Sequence, residues 1–328
     1  MKKIKVAIIG KSGHAQLMRE TLNTIDEAEL MTVFYHKTVT NESSDIPISN
    51  DFNKVKTADC IIISSPTHTH FDYLMQLEDY GGYVLVEKPG CTSAEEQITL
   101  LALPENRRKR LRTNYNLRHS QLFESLKKWI GSEALGLTSL FSISTSQGIA
   151  FGKNYAGSWR SEIDKSLGVA ELVGVHWINL LHLLFQGPKT YTWNYGWKKE
   201  RHYPPDNVAL SGQCNDGTFF QFFHTYAGPY QTNIKLIGTN GIVDYNGTIL
   251  SLRSPRETRN EKGRFILPPE VSRIEMPQSE MWTLSLKSSL LEFLKVVGKG
   301  ADFSPIEWDR DIHTMDPVLQ LRNHLLKK

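Results

Sequence analysis

Residues 4–15 constrain the fold more than any other stretch of the chain. Ile4–Ile9 is a short apolar run that passes straight into Gly10-Lys11-Ser12-Gly13-His14-Ala15 and then into a helical pattern. An apolar run that stops on a glycine ahead of a helix marks a buried strand, a tight turn and a crossover helix. The rhythm continues. Leu30–Phe34, Cys60–Ser64 and Tyr83–Val86 are candidate strands, with Leu111–Asn114 a fifth, and helical stretches fall at Ala15–Thr24, His70–Leu77 and Ala94–Leu103. Strands alternating with helices pack as a parallel sheet covered on both faces. The third helix opens on Thr92-Ser93-Ala94-Glu95-Glu96, a capping box, and Pro104 ends it. The basic run Arg107-Arg108-Lys109-Arg110 reads as a solvated loop before a strand rather than a binding patch.

Beyond Asn114 the character changes. A helix at Ser120–Ile130 leads into β-like segments at Thr138–Thr145, Tyr191–Trp197, Val208–Cys214, Thr218–Thr225, Asn233–Ile237 and Gly241–Asp244. Asn215-Asp216-Gly217 and Asn240-Gly241 supply hairpin turns. One strongly apolar helix, Glu171–Phe185, interrupts the strands, an amphipathic helix covers Leu284–Val297, and residues 253–280 read as a long surface loop. Strands in series with few helices indicate an α+β domain on an antiparallel sheet. Two domains are therefore expected, 1–114 and 115–328, with the last segment of the second free to pack back on the first.

Composition narrows the partners. A formal net charge of +3 over 328 residues gives no reason to invoke nucleic acid or an anionic membrane. No stretch approaches the roughly 20 apolar residues that span a bilayer. Cys60, Cys91 and Cys214 lie far apart with no metal-ligand spacing, a sparse set that suits a reducing compartment, and no metal is expected. The expected location is the cytoplasm.

The glycine turn carries the first functional reading. In the fingerprint Gly-x-Gly-x-x-Gly/Ala, Gly10 fits the first position and Ala15 the third, while Ser12 stands at the second and Gly13 follows it. A serine there narrows the approach to a pyrophosphate but offers its hydroxyl, and His14 opens the helix. A tight turn that binds nothing remains the alternative. The second strand normally ends in a carboxylate that grips the ribose of NAD. Here it ends Phe34-Tyr35-His36-Lys37, and His36 with Lys37 suits a 2′-phosphate, so NADP is favoured slightly over NAD.

Two further strand ends aim polar residues at the same edge of the sheet. One is Ser64-Ser65-Pro66-Thr67-His68-Thr69-His70 and the other Val86-Glu87-Lys88-Pro89. Ligands of open α/β sheets bind at the carboxyl ends of strands. A lysine there, beside a positively charged nicotinamide, becomes a proton acceptor from a hydroxyl or donor to a ketone. Taken alone, Lys88 fits an ordinary surface lysine ahead of a proline turn equally well.

Pro66 to His70 followed by Glu87-Lys88-Pro89 resembles the Gfo/Idh/MocA family of oxidoreductases. The resemblance continues through Asn116-Leu117-Arg118, Leu135-Gly136, Trp159-Arg160, Ile234-Lys235-Leu236-Ile237-Gly238-Thr239-Asn240-Gly241 and Ser304-Pro305, so it spans essentially the whole chain. It implies an α/β Rossmann domain, a doubly wound parallel sheet, followed by an α+β domain with a large, open-faced, predominantly antiparallel sheet that builds dimers or tetramers. It implies hydride transfer at a carbinol or keto carbon of a sugar, cyclitol or sugar nucleotide. Ser65, Pro66, His70, Glu87 and Lys88 would then line the cofactor, and Asn116, Arg118, Trp159 and Arg160 the substrate.

The apolar helix tests this. Leu172, His176, Asn179 and Leu183 fall on one helical stripe, and polar groups on a buried stripe need partners that a substrate pocket can supply. The family places Asp-x-x-x-His-x-x-Asp here, which implies that His176 orients the reacting hydroxyl beside Lys88 and that Asn179 contacts substrate. The first aspartate is replaced by Leu172 and the second by Asn179. Glu171 lies about 100° around an ideal helix and could substitute only if the helix start near Gly168 were shifted. Three readings follow: a sugar or cyclitol dehydrogenase, a family member reducing an imine or tetrapyrrole, and a dinucleotide-sensing regulator with weak turnover.

Overall fold

The computed structural model describes residues 3–11, 13–37 and 47–327. In chain order the first elements are β1 (Ile4–Ile9), α1 (His14–Leu22), β2 (Ala28–Phe34), β3 (Ile48–Ser49), α2 (Phe52–Val55), β4 (Cys60–Ile63), α3 (His70–Gln76), β5 (Tyr83–Glu87), α4 (Ala94–Leu101), α5 (Glu105–Arg108) and β6 (Leu111–Asn114). Then come α6 (Gln121–Trp129), β7 (Thr138–Ser146), α7 (Val175–Phe185), β8 (Pro188–Gly196), β9 (Asn207–Cys214), β10 (Phe219–Thr225), β11 (Gln231–Gly238), β12 (Ile242–Tyr245), β13 (Ile249–Arg253) and β14 (Glu270–Glu275). The chain ends in α8 (Gln278–Lys299), α9 (Pro305–His313) and α10 (Asp316–Leu326).

Two compact units emerge, Met1–Asn116 with Leu286–Leu319, and Leu117–Ser285 with Gln320–Lys328. A single cut at residue 114 does not describe this division, because residues 286–319 belong to the first unit.

The first unit is built on a six-stranded parallel sheet in the order β3-β2-β1-β4-β5-β6. Its strand order reverses between β1 and β4, the switch point beside which doubly wound sheets bind ligands. Val6, Ile8, Cys60, Ile62 and Leu85 are buried on the sheet against Ala15, Met18 and Leu22 of α1. Leu286, Leu290, Phe293, Leu294 and Val297 of α8 complete this core at helical spacing, each contributing about 1.5–3 kcal/mol of burial. At α4 the capping box forms: Ser93 accepts from the Glu96 amide at 3.2 Å while Glu96 accepts from the Thr92 amide at 2.6 Å.

The basic run is corrected here. Arg107 and Arg108 lie in α5, and buried Arg107 donates to the Tyr80 and Leu77 carbonyls at 2.8 and 2.9 Å. Arg108 pairs with Asp309, and Arg110 stands 3.5 Å from Asp302. Backbone carbonyls thus satisfy the donors of Arg107, and carboxylates of the unit face Arg108, Lys109 and Arg110.

The second unit carries an eight-stranded sheet in the order β14-β13-β12-β11-β7-β10-β9-β8, antiparallel except where β10 meets β7. Residues 253–280 are not simply a loop: β14 pairs with β13 from Ile249↔Glu275 to Arg253↔Glu270. Asp216 caps the β9–β10 turn by accepting from the Thr218 amide at 2.9 Å, and Gly217 takes φ +93. Among the described residues, no helix is long and apolar enough to cross a membrane.

His224 of β10 is fully buried, with its Nδ1 2.7 Å from the Thr145 hydroxyl. Burial pushes the imidazole pKa down to about 3. The folded value lies below the unfolded one, so the unfolded chain takes the proton first. Stability is lost as pH falls from about 6.5 towards 3, by on the order of 4–5 kcal/mol at the acid limit. Urea titrations at pH 7, 5 and 4 should show His224→Asn losing less stability with acid than the wild type. Equal slopes would remove His224 as the cause.

Candidate active site

The site is assembled first at the carboxyl edge of the parallel sheet. Gly10 follows β1 at φ +123, and a Cβ there would stand 2.4 Å from the Ser64 carbonyl oxygen. Glycine is needed because the turn packs backbone to backbone against the end of β4. Gly13 takes φ +61 ahead of α1, and nothing lies within 4 Å of the position a Cβ would occupy. The nine-residue helix α1 has neither a side-chain cap nor an acidic residue in its first turn. Its leading amides and positive dipole end fit a pyrophosphate. Among the described residues, the buried hydroxyl of Ser64, just beyond β4, has no hydrogen-bond partner. These features fit a bound dinucleotide. Ala15 is fully buried, where a larger side chain would separate α1 from the sheet. Ser12 lies outside the described residues.

At the end of β2, His36 and Lys37 are exposed, and the Lys11 ammonium lies 5.6 Å from the centre of the Tyr35 ring. Cationic and aromatic groups thus replace the carboxylate that would hold a ribose hydroxyl.

Glu87, the last residue of β5, is buried. Its Oε1 accepts from Asn114 Nδ2 at 2.6 Å and lies 3.0 Å from His14 Nε2, while Ser289 Oγ donates to Asn114 Oδ1 at 2.6 Å. Burial alone would push its carboxyl pKa up. The neighbouring His14, Lys88 and the Asn114 amide outweigh that and hold it below the usual range. Glu87 is thereby an ionised anchor inside the unit, and Lys88, half-buried, follows it directly. Asn114 and Ser289 had no visible role in the sequence, because their partners are distant along the chain.

One assignment changes. His70, expected to line the cofactor, is 1% exposed, with Nδ1 2.8 Å from the Pro89 carbonyl oxygen and Nε2 2.9 Å from that of Ser65. Both ring nitrogens are taken up by backbone, so the side chain has no atom to offer a ligand. Ser65 is half-buried, with its hydroxyl 2.7 Å from that of Thr69, and Pro66 is exposed.

Asn116 is a buried residue at the end of the first unit. The remaining expected residues belong to the second. Arg118 is buried just beyond the boundary, and the half-buried Arg160 guanidinium lies 4.5 Å from the centre of the Trp159 ring. His176 lies near the start of α7, and its ring meets that of Trp282 edge-on at 5.1 Å and 68°. Trp282 carried no local signal in the sequence, since only the fold places it beside His176.

The stripe drawn from an ideal helix is corrected. Ala170–Gly174 form a π-helical turn ahead of α7, after Gly168 at φ +58. The wider turn changes the register of Glu171 and Leu172 relative to His176. Gly174 leaves room for His224, whose Cδ2 would lie 3.3 Å from a Cβ there. Glu171 is 0% exposed, and its Oε2 accepts from Arg322 Nη2 at 3.0 Å and the Leu167 amide at 3.1 Å. That oxygen is committed to an internal ion pair. Asn179, expected at the substrate, is likewise 0% exposed and sits within an apolar helix. Its amide lines no open surface. Among the described residues no group of three His, Cys, Asp or Glu side chains could hold a metal ion.

Residues 4–115 match the oxidoreductase family with an NAD-binding Rossmann fold, GFO/IDH/MocA, and residues 123–244 match the GFO/IDH/MocA C-terminal domain. A scyllo-inositol 2-dehydrogenase (NADP(+)) of Bacillus subtilis (strain 168) is 23% identical over 214 residues, 63% of this chain and 59% of that protein. A glucose-6-phosphate 3-dehydrogenase of the same organism is 27% identical over 198 residues, 56% of this chain and 54% of that protein. The matched region thus spans little more than half the length of these two relatives. In fold, the chain is similar to a levoglucosan dehydrogenase in complex with NADH and levoglucosan, with TM-score 0.78, 14% identity, and 99% and 98% of the two chains covered. It is also similar to a myo-inositol dehydrogenase from Corynebacterium glutamicum ATCC 13032, with TM-score 0.73, 16% identity, and coverage of 99% and 96%.

Proposed function

Because the chain belongs to the GFO/IDH/MocA oxidoreductase family, we propose that it is an NAD(P)-dependent dehydrogenase or reductase of a sugar, cyclitol or sugar nucleotide. The observation that carries this reading is the position of Lys88. It follows β5 at the carboxyl edge of the sheet, between the hydrogen-bonded carboxylate of Glu87 and a Pro89 carbonyl held by His70. A nicotinamide dinucleotide held at this sheet edge would supply the hydride acceptor or donor. In the oxidative direction Lys88 takes the hydroxyl proton as the carbon–hydrogen bond breaks, and in the reverse direction it returns that proton to the carbonyl oxygen. His176 orients the reacting oxygen by a hydrogen bond, with Asn116, Arg118, Trp159 and Arg160 as further substrate contacts.

The names of the relatives support polyol chemistry: one acts on scyllo-inositol, one on glucose 6-phosphate, and one structural neighbour holds levoglucosan. Directly after β2, Tyr35-His36-Lys37 offers no carboxylate, and with Lys11 beside Tyr35 this favours NADP over NAD. A panel of inositols, hexoses, hexose phosphates and nucleotide sugars, each with NADP or NAD, tests the reading through nicotinamide absorbance. Turnover of one class is expected; reduction of an imine or tetrapyrrole with no polyol activity would overturn the substrate class.

Assembly as a homodimer or homotetramer through the second sheet belongs to the same proposal. Phe219 and Phe223 of β10 are 57% and 42% exposed on one face of that sheet, an apolar surface that a second copy would cover. Sedimentation should give a dimer or tetramer, and a monomer at micromolar concentration would contradict it.

A further inference from the structure

The geometry assigns a positioning role to His70: its ring ties the strand end that faces the cofactor to the loop that carries Lys88, so that one side chain sets both. This rests on the proposed role of Lys88. His70 opens α3 and reaches two neighbouring strand ends at once, Ser65 beyond β4 and Pro89 beyond β5. The Ser65 side is continuous with the glycine turn, since Ser64 and Ser65 are the residues a Cβ on Gly10 would strike. On the Pro89 side, the held carbonyl belongs to the residue directly after Lys88.

A neutral imidazole has one N–H and one lone pair, whereas both groups facing this ring are acceptors. One contact is therefore a full hydrogen bond, and the other becomes one only when the ring carries a second proton. The charged groups acting on the ring are Glu87, which favours that proton, and Lys88, which opposes it, while burial opposes it most strongly. Burial therefore holds the ring neutral, with one full hydrogen bond and one weaker contact joining the two backbones. His70 touches neither cofactor nor substrate in this scheme. It acts through the two backbones it holds.

Two amide variants separate the two arms. A glutamine amide nitrogen reaches roughly where Nε2 stands, towards Ser65, and an asparagine amide nitrogen roughly where Nδ1 stands, towards Pro89. His70→Gln keeps the cofactor arm and releases the Lys88 arm. It is expected to lower kcat by about 10–100-fold, the cost of a displacement near 1 Å at a reacting group, with NADPH affinity changed by about twofold or less. His70→Asn does the opposite, weakening NADPH binding with a smaller loss in kcat. The arm whose carbonyl takes the ring N–H in the wild type shows its full effect, up to about 5–10-fold in NADPH affinity for the Ser65 arm, and the other arm a smaller one. NADPH fluorescence titration and steady-state kinetics read the two effects separately.

Losses of kcat and NADPH affinity in the same proportion in both variants, following their loss of thermal stability, would reduce His70 to a packing residue and overturn the inference. So would two variants indistinguishable from wild type. Should neither variant fold, the histidine ring nitrogens of 15N-labelled wild type supply the test. The His70 ring should show one protonated and one unprotonated nitrogen, a single tautomer held between the two carbonyls, and a ring that averages between tautomers overturns the inference. Failure of the wild type to bind NADPH or NADH would overturn the proposed function together with this inference. Intact binding and turnover without the split overturns this inference alone.

Discussion

Lys88→Ala should lower kcat by about 10²–10⁴-fold while leaving NADPH binding within a few-fold of wild type, the signature of a lost proton-transfer group rather than a lost binding contact. The ammonium follows a carboxylate fixed by Asn114 and 3.0 Å from His14, so removing the lysine side chain leaves that network in place. Pre-steady-state nicotinamide absorbance separates the steps: hydride transfer slows in the variant and cofactor release does not. Lys88→Arg should recover little, because a guanidinium does not give up its proton in the accessible pH range. Wild-type turnover in Lys88→Ala would remove the lysine from the chemistry while leaving the family and the fold untouched.

The second large effect falls on the turn. Gly10→Ala introduces a side chain at φ +123, with its Cβ 2.4 Å from the Ser64 carbonyl oxygen. Backbone strain and overlap together should cost about 2–6 kcal/mol of stability. The turn can relieve the overlap only by moving away from β4, which displaces the leading amides of α1 from the pyrophosphate position. Weaker NADPH binding should therefore accompany the lower denaturation midpoint. Gly13→Ala is the informative companion. Its Cβ meets nothing within 4 Å, although φ is +61. It should carry the strain without the overlap, a loss of about 1–3 kcal/mol. Equal stability losses at the two positions would contradict this account of the turn.

The doubly wound sheet was legible because its central strands are largely apolar runs that end on turn residues. Ile4–Ile9, Cys60–Ile63 and Tyr83–Glu87 are buried along most or all of their length, as central parallel strands must be. Two edge elements, β3 and β14, were not legible for the converse reason. β3 has two residues, and β14, Glu-Val-Ser-Arg-Ile-Glu, alternates between half-buried and exposed positions with no buried face to signal it. The run 107–110 misled because an arginine satisfied by backbone carbonyls is written no differently from one in water. His70 is the same lesson inside the site. The sequence places a histidine at a strand end, but only the fold shows that both ring nitrogens are already committed. The π turn at Ala170–Gly174 is hidden too, since an ideal helix was the only register available for reading Glu171 and Leu172 against His176.

The most direct test of the account is a titration of the purified wild-type chain with NADPH and with NADH, followed by nicotinamide fluorescence. Saturable binding of both, with NADPH the tighter by about tenfold and that preference reduced in Lys37→Ala, is the predicted result, one charge-assisted phosphate contact being worth roughly 1.4 kcal/mol. Tighter NADH than NADPH would contradict the assignment of Lys11, His36 and Lys37, and binding of neither would contradict the dinucleotide site on which the proposed function stands.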